Sequence, residues 1–225
     1  SSGMKWEAAN DAAELSLRAA AILLDSVEAK PDAALGLPTG RTPEGMYAAV
    51  VSVCCARYRC FSAVSTFNLD EYVGIPHSHA GSYRAYMNRH LFGHVDIDPA
   101  NVHIPDGLAL QVRAEFPGID FESALLLECA RYESAIEARG IDVMFLGIGR
   151  NGHIGFNEPG APFDSRTRVV ALAPSTRSAN ADCFPDGAVP PRAITMGIAT
   201  ILSARSIVVL ASGASKREAI ARLRT

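Results

Sequence analysis

The sequence predicts an α/β fold, a three-layer sandwich with helices on both faces of a mostly parallel sheet. Short apolar runs of strand length alternate with longer amphipathic segments along most of the 225-residue chain. The run 141–148 is largely apolar, as expected of a parallel strand that is buried on both faces. The sequence contains no internal repeat, low-complexity tract or linker, so residues 1–225 are expected to form a single domain.

Amphipathic periodicity predicts five helices. In the first of them, Ala, Leu and Ile recur at helical spacing between charged residues, and Lys30-Pro31 ends the pattern. The second begins with Thr42 and Pro43, residue types that favour the N-cap and the first helical position. The predicted helices cover residues 6–29, 43–56, 82–92, 120–138 and 175–182.

Apolar runs between these helices predict seven strands. Most are four to eight residues long, which is typical of strands in α/β proteins. Proline and glycine interrupt the segments from about 105 to 118 and from 184 to 191, which are therefore predicted to be loops. The predicted strands cover residues 33–37, 63–69, 101–104, 141–148, 167–172, 192–196 and 206–211.

Composition indicates a globular protein of a reducing compartment, expected to be the cytoplasm. The chain is 48% hydrophobic with a formal net charge of -3, which argues against an extended nucleic-acid or membrane face. Its five cysteines are odd in number and form no CxxC pair, so mostly buried thiols are expected rather than disulfides. Acidic residues interrupt the N-terminal segment early, unlike a secretory signal, and no apolar run approaches membrane-spanning length.

The turn Pro38-Thr39-Gly40-Arg41-Thr42-Pro43 is a candidate phosphate site. A helix that starts at this turn directs its unpaired backbone N–H groups toward it, an arrangement that binds phosphate. Arg41 would add a charge-assisted contact. The alternative is a well-capped turn between strand and helix that binds no ligand.

The segment Gly147–Gly160 is a candidate for proton transfer. Its glycines permit tight turns, and between them lie an amide, an imidazole and a carboxylate, Asn151, His153 and Glu158. Ligands of open α/β sheets bind outside the carboxyl ends of the strands, where this segment begins. It continues into an Asn-Glu-Pro-Gly turn rather than directly into a helix, so it differs from a dinucleotide-binding loop. The alternative is a structural turn without a catalytic role.

Two more candidates follow predicted strands. Asp70 and Glu71 come after the run 63–69, and adjacent strand residues point to opposite faces, so only one is expected to enter a shared crevice. Lys216 lies in the first turn of a helix capped by Ser215, where a cation is unfavourable unless an anion lies nearby. The alternatives are a surface acidic pair and an exposed lysine.

No metal site is expected from the histidines. His90 and His94 have the spacing of two zinc ligands on one helical face, but Leu91 stands where a metalloprotease motif has glutamate. A capping or solvated role is therefore the expectation for both.

Four segments together resemble the glucosamine-6-phosphate deaminase family. They are LGLPTGRTP at 35–43, TFNLDEYVG at 66–74, GIGRNGHIGFNEPG at 147–160 and SGASK at 212–216. The resemblance implies an NAD-like sugar-phosphate isomerase fold and amino sugar catabolism, in which D-glucosamine 6-phosphate and water give D-fructose 6-phosphate and ammonia. It implies no metal or organic cofactor and a small sugar phosphate as the partner, with no nucleic acid or membrane. The oligomeric state, monomer or homo-oligomer, is left open.

The resemblance also implies a role for each candidate residue. His153 would open the pyranose ring, with Glu158 and Asn151 orienting it. Asp70 would move a proton between C2 and C1 through a cis-enolamine, and water addition would then expel ammonia. The phosphate would be held by Thr39, Gly40, Arg41, Thr42 and Lys216.

The chain departs from the family pattern at three places. Asp182 stands where relatives carry a phosphate-binding arginine, which predicts weaker phosphate binding, a replacement cation or a different substrate. Val170 replaces a lysine that accompanies Arg168 at an allosteric site, so allosteric activation is not expected. The sequence ends at Thr225, before a further strand and helix of the relatives, so its C-terminus is expected to be incomplete.

Two other functions remain open at this stage. A 6-phosphogluconolactonase-type hydrolase would use His153 to activate water and would not need Asp70. A non-catalytic sugar-phosphate sensor would have a similar fold, but it predicts a helix-turn-helix segment, and residues 1–30 offer only one helix.

Overall fold

The computed structural model describes residues 5, 7–57, 61–148 and 153–213, so Asn151 and Lys216 lie outside the described residues. The described helices are α1 (Ala12–Ala29), α2 (Glu44–Arg57), α3 (Tyr83–His90), α4 (Leu110–Glu115), α5 (Phe121–Arg139), α6 (Pro174–Asn180) and α7 (Ile198–Leu202). The described strands are β1 (Ala34–Leu37), β2 (Ser65–Asn68), β3 (Asp70–Tyr72), β4 (Val102–His103), β5 (Val143–Gly147), β6 (Arg168–Ala171), β7 (Arg192–Thr195) and β8 (Ser206–Leu210).

A five-stranded parallel sheet in the order β4-β2-β1-β5-β8 forms the centre of the fold. Leu37 at the end of β1 lies opposite Asn68 at the end of β2, and Gly147 at the end of β5 lies opposite Leu210 at the end of β8. The carboxyl ends of the strands therefore share one edge of the sheet, and the mostly parallel sheet predicted from the apolar runs is confirmed.

Helices cover both faces of this sheet. Alternate residues of β1 and β5 belong to two different cores, because successive side chains of a strand point to opposite faces. Leu35, Leu37 and Phe145 lie in the first core, together with buried residues of α1 and α2. The second core contains Ala34, Met144 and Leu146 and buried residues of α5 and α7. The predicted three-layer sandwich is confirmed.

A second, three-stranded antiparallel sheet in the order β3-β7-β6 was not predicted. The sequence places Asp70-Glu71-Tyr72 where a strand meets a loop, but these residues form β3, with Asp70 opposite Thr195 of β7. The sequence prediction missed this strand because it is only three residues long and begins with two acids. Antiparallel pairing also depends on partners more than 120 residues away, which local patterns do not reveal.

The helices of the structure differ from the predicted ones in three places. The first helix starts at Ala12 rather than at residue 6, because the Asp11 side chain accepts a hydrogen bond from the Glu14 N–H at 2.8 Å and caps it. Helix α4 lies inside the predicted loop 105–118, and α7 was not predicted. Both have six residues or fewer, which is too short for helical periodicity to be recognised.

Several smaller predictions can also be compared with the structure. Cys54 and Cys129 are buried but Cys55 and Cys183 are exposed, so burial is confirmed for two of the four described cysteines. His94 Nε2 lies 2.8 Å from the Arg89 carbonyl oxygen, consistent with the capping role expected for it. Within the described part of the chain, no helix combines the length and apolar character needed to cross a membrane.

Candidate active site

Three candidate segments follow neighbouring strands of the parallel sheet. The turn 38–43 follows β1, Asp70 comes two residues after β2, and residues 148–160 follow β5. Strand β1 lies between β2 and β5, so the three segments start side by side at the carboxyl edge of the sheet. Ligands of open α/β folds bind at this edge.

The two adjacent acids of β3 have different surroundings, as strand alternation predicts. Glu71 is fully buried and accepts hydrogen bonds from the backbone N–H groups of Tyr72, Tyr83 and Arg84 at 2.9, 3.0 and 3.1 Å. Two of these donors are the first residues of α3, whose N–H groups have no partner within the helix. Glu71 therefore anchors the start of α3 and has a structural role.

Asp70 is 6% exposed, and none of the other described residues donates a hydrogen bond to its carboxylate. Burial, followed by the charge of Glu71, raises the pKa of Asp70 to about 8. Burial also raises the pKa of Glu71, but its three N–H donors oppose that shift. A buried carboxyl group with a strongly raised pKa, such as Asp70, is typical of a general base or acid.

The turn that follows His153 is attached to the antiparallel sheet. The Asn157 side chain donates to the carbonyl oxygens of Ile154 and Met196 at 3.0 and 2.8 Å, and the Phe156 N–H donates to Thr195 Oγ1 at 3.3 Å. Thr195 lies opposite Asp70 in the sheet. These hydrogen bonds place the segment that carries His153 next to the strand that carries Asp70.

Gly155 shows how close the two segments are. Its φ is +59°, and a Cβ placed on it would lie 3.0 Å from Thr195 Oγ1 and 3.4 Å from Asp70 Oδ2. The face of Gly155 that carries no side chain therefore lies next to the Asp70 carboxylate. The structure thus places Asp70 beside the segment that follows His153.

Replacing Gly155 with alanine is expected to destabilise the protein by about 1–2 kcal/mol, because a left-handed φ is unfavourable for alanine. The added methyl group would also press on Thr195 and Asp70, so activity should fall. Gly160→Ala is the matched control, since Gly160 has a φ of +91° but no atom within 4 Å of the added Cβ. Equal activity in the two variants, measured beside their melting temperatures, would contradict the contact.

His153 is partly buried, and its Nδ1 lies 3.0 Å from the Gly155 carbonyl oxygen. A carbonyl oxygen only accepts hydrogen bonds, so Nδ1 carries the proton and Nε2 is the basic nitrogen of the neutral ring. Glu158 is exposed, and its Oε1 lies 3.4 Å from the Thr176 hydroxyl of α6. The structure thus places His153 and Glu158 on the same segment, five residues apart, beside the Asp70 strand.

In the turn 38–43, backbone N–H groups rather than carbonyl groups are available to bind a ligand. The hydroxyls of Tyr47 and Tyr86 donate to the Pro38 and Gly40 carbonyl oxygens, each at 2.5 Å. Within the described chain, no backbone N–H from Thr39 to Thr42 donates to a protein acceptor. Gly40 and Arg41 are exposed and the two threonines are partly buried, so an anion can reach these groups.

Tyr83 lies beside the Asp70 strand, and the sequence analysis did not identify it. Its hydroxyl lies 3.3 Å from the Tyr72 hydroxyl, and its ring stacks on Phe156 with centroids 6.0 Å apart. Burial raises the pKa of Tyr83 well above its ordinary value, and the charges of Tyr72 and Asp70 raise it further. Tyr83 therefore packs against both β3 and the segment that follows His153.

Aromatic side chains form one side of the site, and these too were missed. The Tyr72 ring lies 4.8 Å from Tyr83, 5.8 Å from Phe156 and 5.2 Å from Phe184, measured between centroids. Asn180 at the end of α6 donates to the Tyr72 hydroxyl at 3.1 Å. Their positions in the sequence gave no signal, because single aromatic residues on short elements look the same as core residues.

Asp182 lies in a one-turn 3₁₀ helix, residues Ala181–Cys183, and is exposed. It follows Asn180, which contacts the aromatic side of the site, so this acidic position is close to the candidate site along the chain. Among the described residues, no group of three or more His, Cys, Asp or Glu side chains is arranged to hold a metal ion.

Comparisons with known proteins agree with the arrangement. The family described as glucosamine-6-phosphate isomerases/6-phosphogluconolactonase matches residues 7–225. A glucosamine-6-phosphate deaminase of Shouchella clausii is 49% identical over 93% of this chain and 81% of its own length. Glucosamine-6-phosphate deaminase 1 of Bacillus subtilis is 47% identical over 93% of this chain and 82% of its own length.

Solved structures give the same result. A structure described as a monomeric glucosamine-6-phosphate deaminase has a TM-score of 0.87 and 45% identity, covering 98% of this chain and 87% of its own. A 6-phosphogluconolactonase from Trypanosoma brucei has a TM-score of 0.71 and 20% identity, covering 95% and 84%. The second likeness shows the shared fold alone.

Proposed function

Because the chain belongs to the family of glucosamine-6-phosphate isomerases and 6-phosphogluconolactonases, we propose that it is a glucosamine-6-phosphate deaminase. In the proposed reaction, D-glucosamine 6-phosphate and water give D-fructose 6-phosphate and ammonia in amino sugar catabolism. The observation that carries the proposal is the contact between the Asp70 carboxylate and the turn that bears His153. The deaminases among the relatives are also far more similar to the chain than the lactonase structures are.

The proposed role of Asp70 is to move a proton between C2 and C1 of the open-chain sugar. Aldose–ketose isomerisation needs a base that reaches both carbons, and a carboxylate with two oxygens and little competing hydrogen bonding suits that task. Its raised pKa lowers the cost of carrying the proton between the two steps. A lactonase would have no evident use for this buried group.

The proposed role of His153 is to open the pyranose ring by proton transfer at the ring oxygen. Its Nδ1 is held by the Gly155 carbonyl, so Nε2 can accept and return the proton. Glu158 is assigned to orienting His153, and Asn151, which lies outside the described residues, is also assigned to orienting it.

The proposed phosphate site is the turn 39–42 at the start of α2. Its four backbone N–H groups and the positive end of the helix dipole favour a dianion. Arg41 is exposed beside them and supplies a positive charge. Lys216, which lies outside the described residues, is proposed as a second cation for the phosphate.

The function is tested by incubating the purified chain with D-glucosamine 6-phosphate and measuring both D-fructose 6-phosphate and ammonia in coupled assays. The two products should form in equal amounts. A parallel assay with 6-phosphogluconolactone should show no turnover above the uncatalysed rate. Lactone hydrolysis without ammonia release from the amino sugar would replace the proposal with the lactonase alternative.

The activity is expected to rise with pH. Asp70 must be ionised to take the proton, and its carboxyl group loses its own proton as the pH rises through about 8. A plot of kcat/KM against pH should therefore climb as the pH rises through about 8 and level above about pH 9. A profile that stays flat from about pH 6 to 9 would contradict the assignment of Asp70 as the titrating base.

We further propose that the chain is a cytoplasmic enzyme and is active as a monomer. One solved structure with 45% identity to this chain is described as monomeric. Light scattering at the concentration of the assay would test this, and a stable dimer or larger assembly would reject it.

A further inference from the structure

Two tyrosine hydroxyls hold the carbonyl groups of the proposed phosphate turn. Tyr47 of α2 donates to the Pro38 carbonyl oxygen and Tyr86 of α3 donates to the Gly40 carbonyl oxygen, each at 2.5 Å. The two rings meet edge to face, with centroids 6.4 Å apart, and both lie in the first core. Burial raises the pKa of each hydroxyl above its ordinary value, so both keep their protons and remain hydrogen-bond donors.

A carbonyl group that is held in place also fixes the N–H group across its peptide bond. A trans peptide unit is planar, so its C=O and the N–H of the next residue point in opposite directions. Because Tyr86 holds the Gly40 carbonyl toward the core, the Arg41 N–H points away from the core. Tyr47 fixes the Thr39 N–H in the same way through the Pro38 carbonyl. Both N–H groups belong to the turn proposed to bind phosphate.

The peptide between Gly40 and Arg41 would rotate at low cost if nothing held it. Gly40 has a φ of +103°, and glycine adopts positive and negative φ about equally well. A rotated peptide would direct the Gly40 carbonyl oxygen at the phosphate, and an oxygen that only accepts hydrogen bonds cannot bind an anion. Among the described residues, the Tyr86 hydroxyl is the one group that donates to this carbonyl. Tyr86 is therefore the contact that opposes the rotation.

Tyr86 is also held in a fixed position relative to the proposed base. The first two N–H groups of α3, those of Tyr83 and Arg84, donate to the Glu71 carboxylate at 3.0 and 3.1 Å. Glu71 is the neighbour of Asp70 in β3. The same helix is thus attached to the strand of the base at its start and to the phosphate turn about one helical turn later.

We propose that Tyr86 is a positioning residue of the phosphate site, whose hydroxyl keeps the Gly40–Arg41 peptide oriented with its N–H toward the substrate phosphate. The inference rests on the proposed function and adds to it a residue that orients a backbone donor. It assigns Tyr86 no proton transfer and no direct contact with the substrate, since the residue acts through the turn.

Tyr86→Phe is the direct test, because it keeps the ring and its packing on Tyr47 and removes only the hydroxyl. The phosphate is held equally before and during the reaction, so its weaker binding should appear in KM. We expect KM for D-glucosamine 6-phosphate to rise roughly 10-fold while kcat stays within about threefold of the parent. Tyr132→Phe is the matched control, because the buried Tyr132 hydroxyl donates to the Asn68 carbonyl oxygen at 2.5 Å and not to the turn. Its KM should stay within about twofold of the parent.

Titration of the ¹⁵N-labelled chain with inorganic phosphate tests the peptide orientation without using activity. In the parent, the amide signals of Thr39 and Arg41 should both shift as phosphate binds. In Tyr86→Phe, the Arg41 signal should shift less, whereas Thr39 should respond as before, because Tyr47 still holds its peptide.

Three results would overturn the inference. They are a parent in which phosphate shifts neither amide signal, an Arg41 signal that responds equally in both chains, and a Tyr86→Phe variant with the parent's KM. A parent that binds phosphate at the turn but releases no ammonia from the amino sugar would instead reject the proposed function, so the two failures are distinguishable.

Discussion

Replacing Asp70 with asparagine is expected to lower kcat by roughly 10²- to 10⁴-fold, the usual contribution of a general acid–base group. Asparagine has nearly the same shape but cannot take a proton from C2. The loss should lie mainly in kcat, with little change in KM, because Asp70 is placed at the reacting carbons and not at the phosphate. Fructose 6-phosphate formation under saturating substrate measures it, and parent-like turnover would reject Asp70 as the base.

The same substitution should change the pH dependence of stability, which tests the raised pKa without using activity. In the folded chain the Asp70 proton is lost at about pH 8, but in the unfolded chain it is lost near the ordinary value of 3.8. Between these values the unfolded chain binds fewer protons, so the free energy of unfolding falls as the pH rises, by about 1.4 kcal/mol per pH unit at most.

Asp70→Asn removes this slope, because asparagine does not titrate. The variant should be close to the parent in stability near pH 4 and more stable than the parent near pH 9, by a few kcal/mol. Urea unfolding at the two pH values measures the difference. If the stability difference between parent and variant is the same at both pH values, the pKa of Asp70 is not raised in the folded chain. The environment described for the proposed base would then be wrong.

The strands of the central sheet could be predicted from the sequence because each buried strand appears there as a short, continuous apolar run. Runs such as 33–37 and 141–148 are apolar on both faces, so each run identifies a strand wherever its neighbours lie. Candidate residues could then be found by looking just past each run, which gave Asp70, His153 and Thr39–Thr42. Asn151 and Lys216 were found in the same way, and the site roles of all these residues stay predictions.

The antiparallel sheet and Tyr83 could not be found by that procedure. β3 is three residues long and polar at two of them, and its partner β7 lies far away in sequence. Tyr83 is recognisable only through what it touches, since its hydroxyl lies 3.3 Å from that of Tyr72 and its ring stacks on Phe156, far along the chain. A function that consists of joining distant segments leaves no local pattern in the sequence.

Glu71→Ala is expected to have the largest effect on stability, lowering the free energy of unfolding by about 3–5 kcal/mol. The substitution would leave the N–H groups of Tyr72, Tyr83 and Arg84 without their shared acceptor in a site from which water is excluded. It would also remove a negative charge that β3 places beside the first turn of α3, where the helix dipole favours one. Thermal unfolding should show a decrease of roughly 10 °C or more.

Glu122, an exposed acidic residue, provides the control for the Glu71→Ala prediction. Glu122 holds Arg192 through two bonds of 2.8 Å, but its side chain is 65% exposed, so Glu122→Ala should cost less than about 1 kcal/mol. If Glu71→Ala and Glu122→Ala lower the free energy of unfolding equally, the anchoring role of Glu71 is wrong. If only Glu71→Ala is destabilised, its remaining folded fraction should also have low activity, because β3 carries Asp70 and α3 carries Tyr86, whose hydroxyl donates to the Gly40 carbonyl of the turn. Glu71 thus stabilises the fold through the same segments that hold the base and the phosphate turn in place.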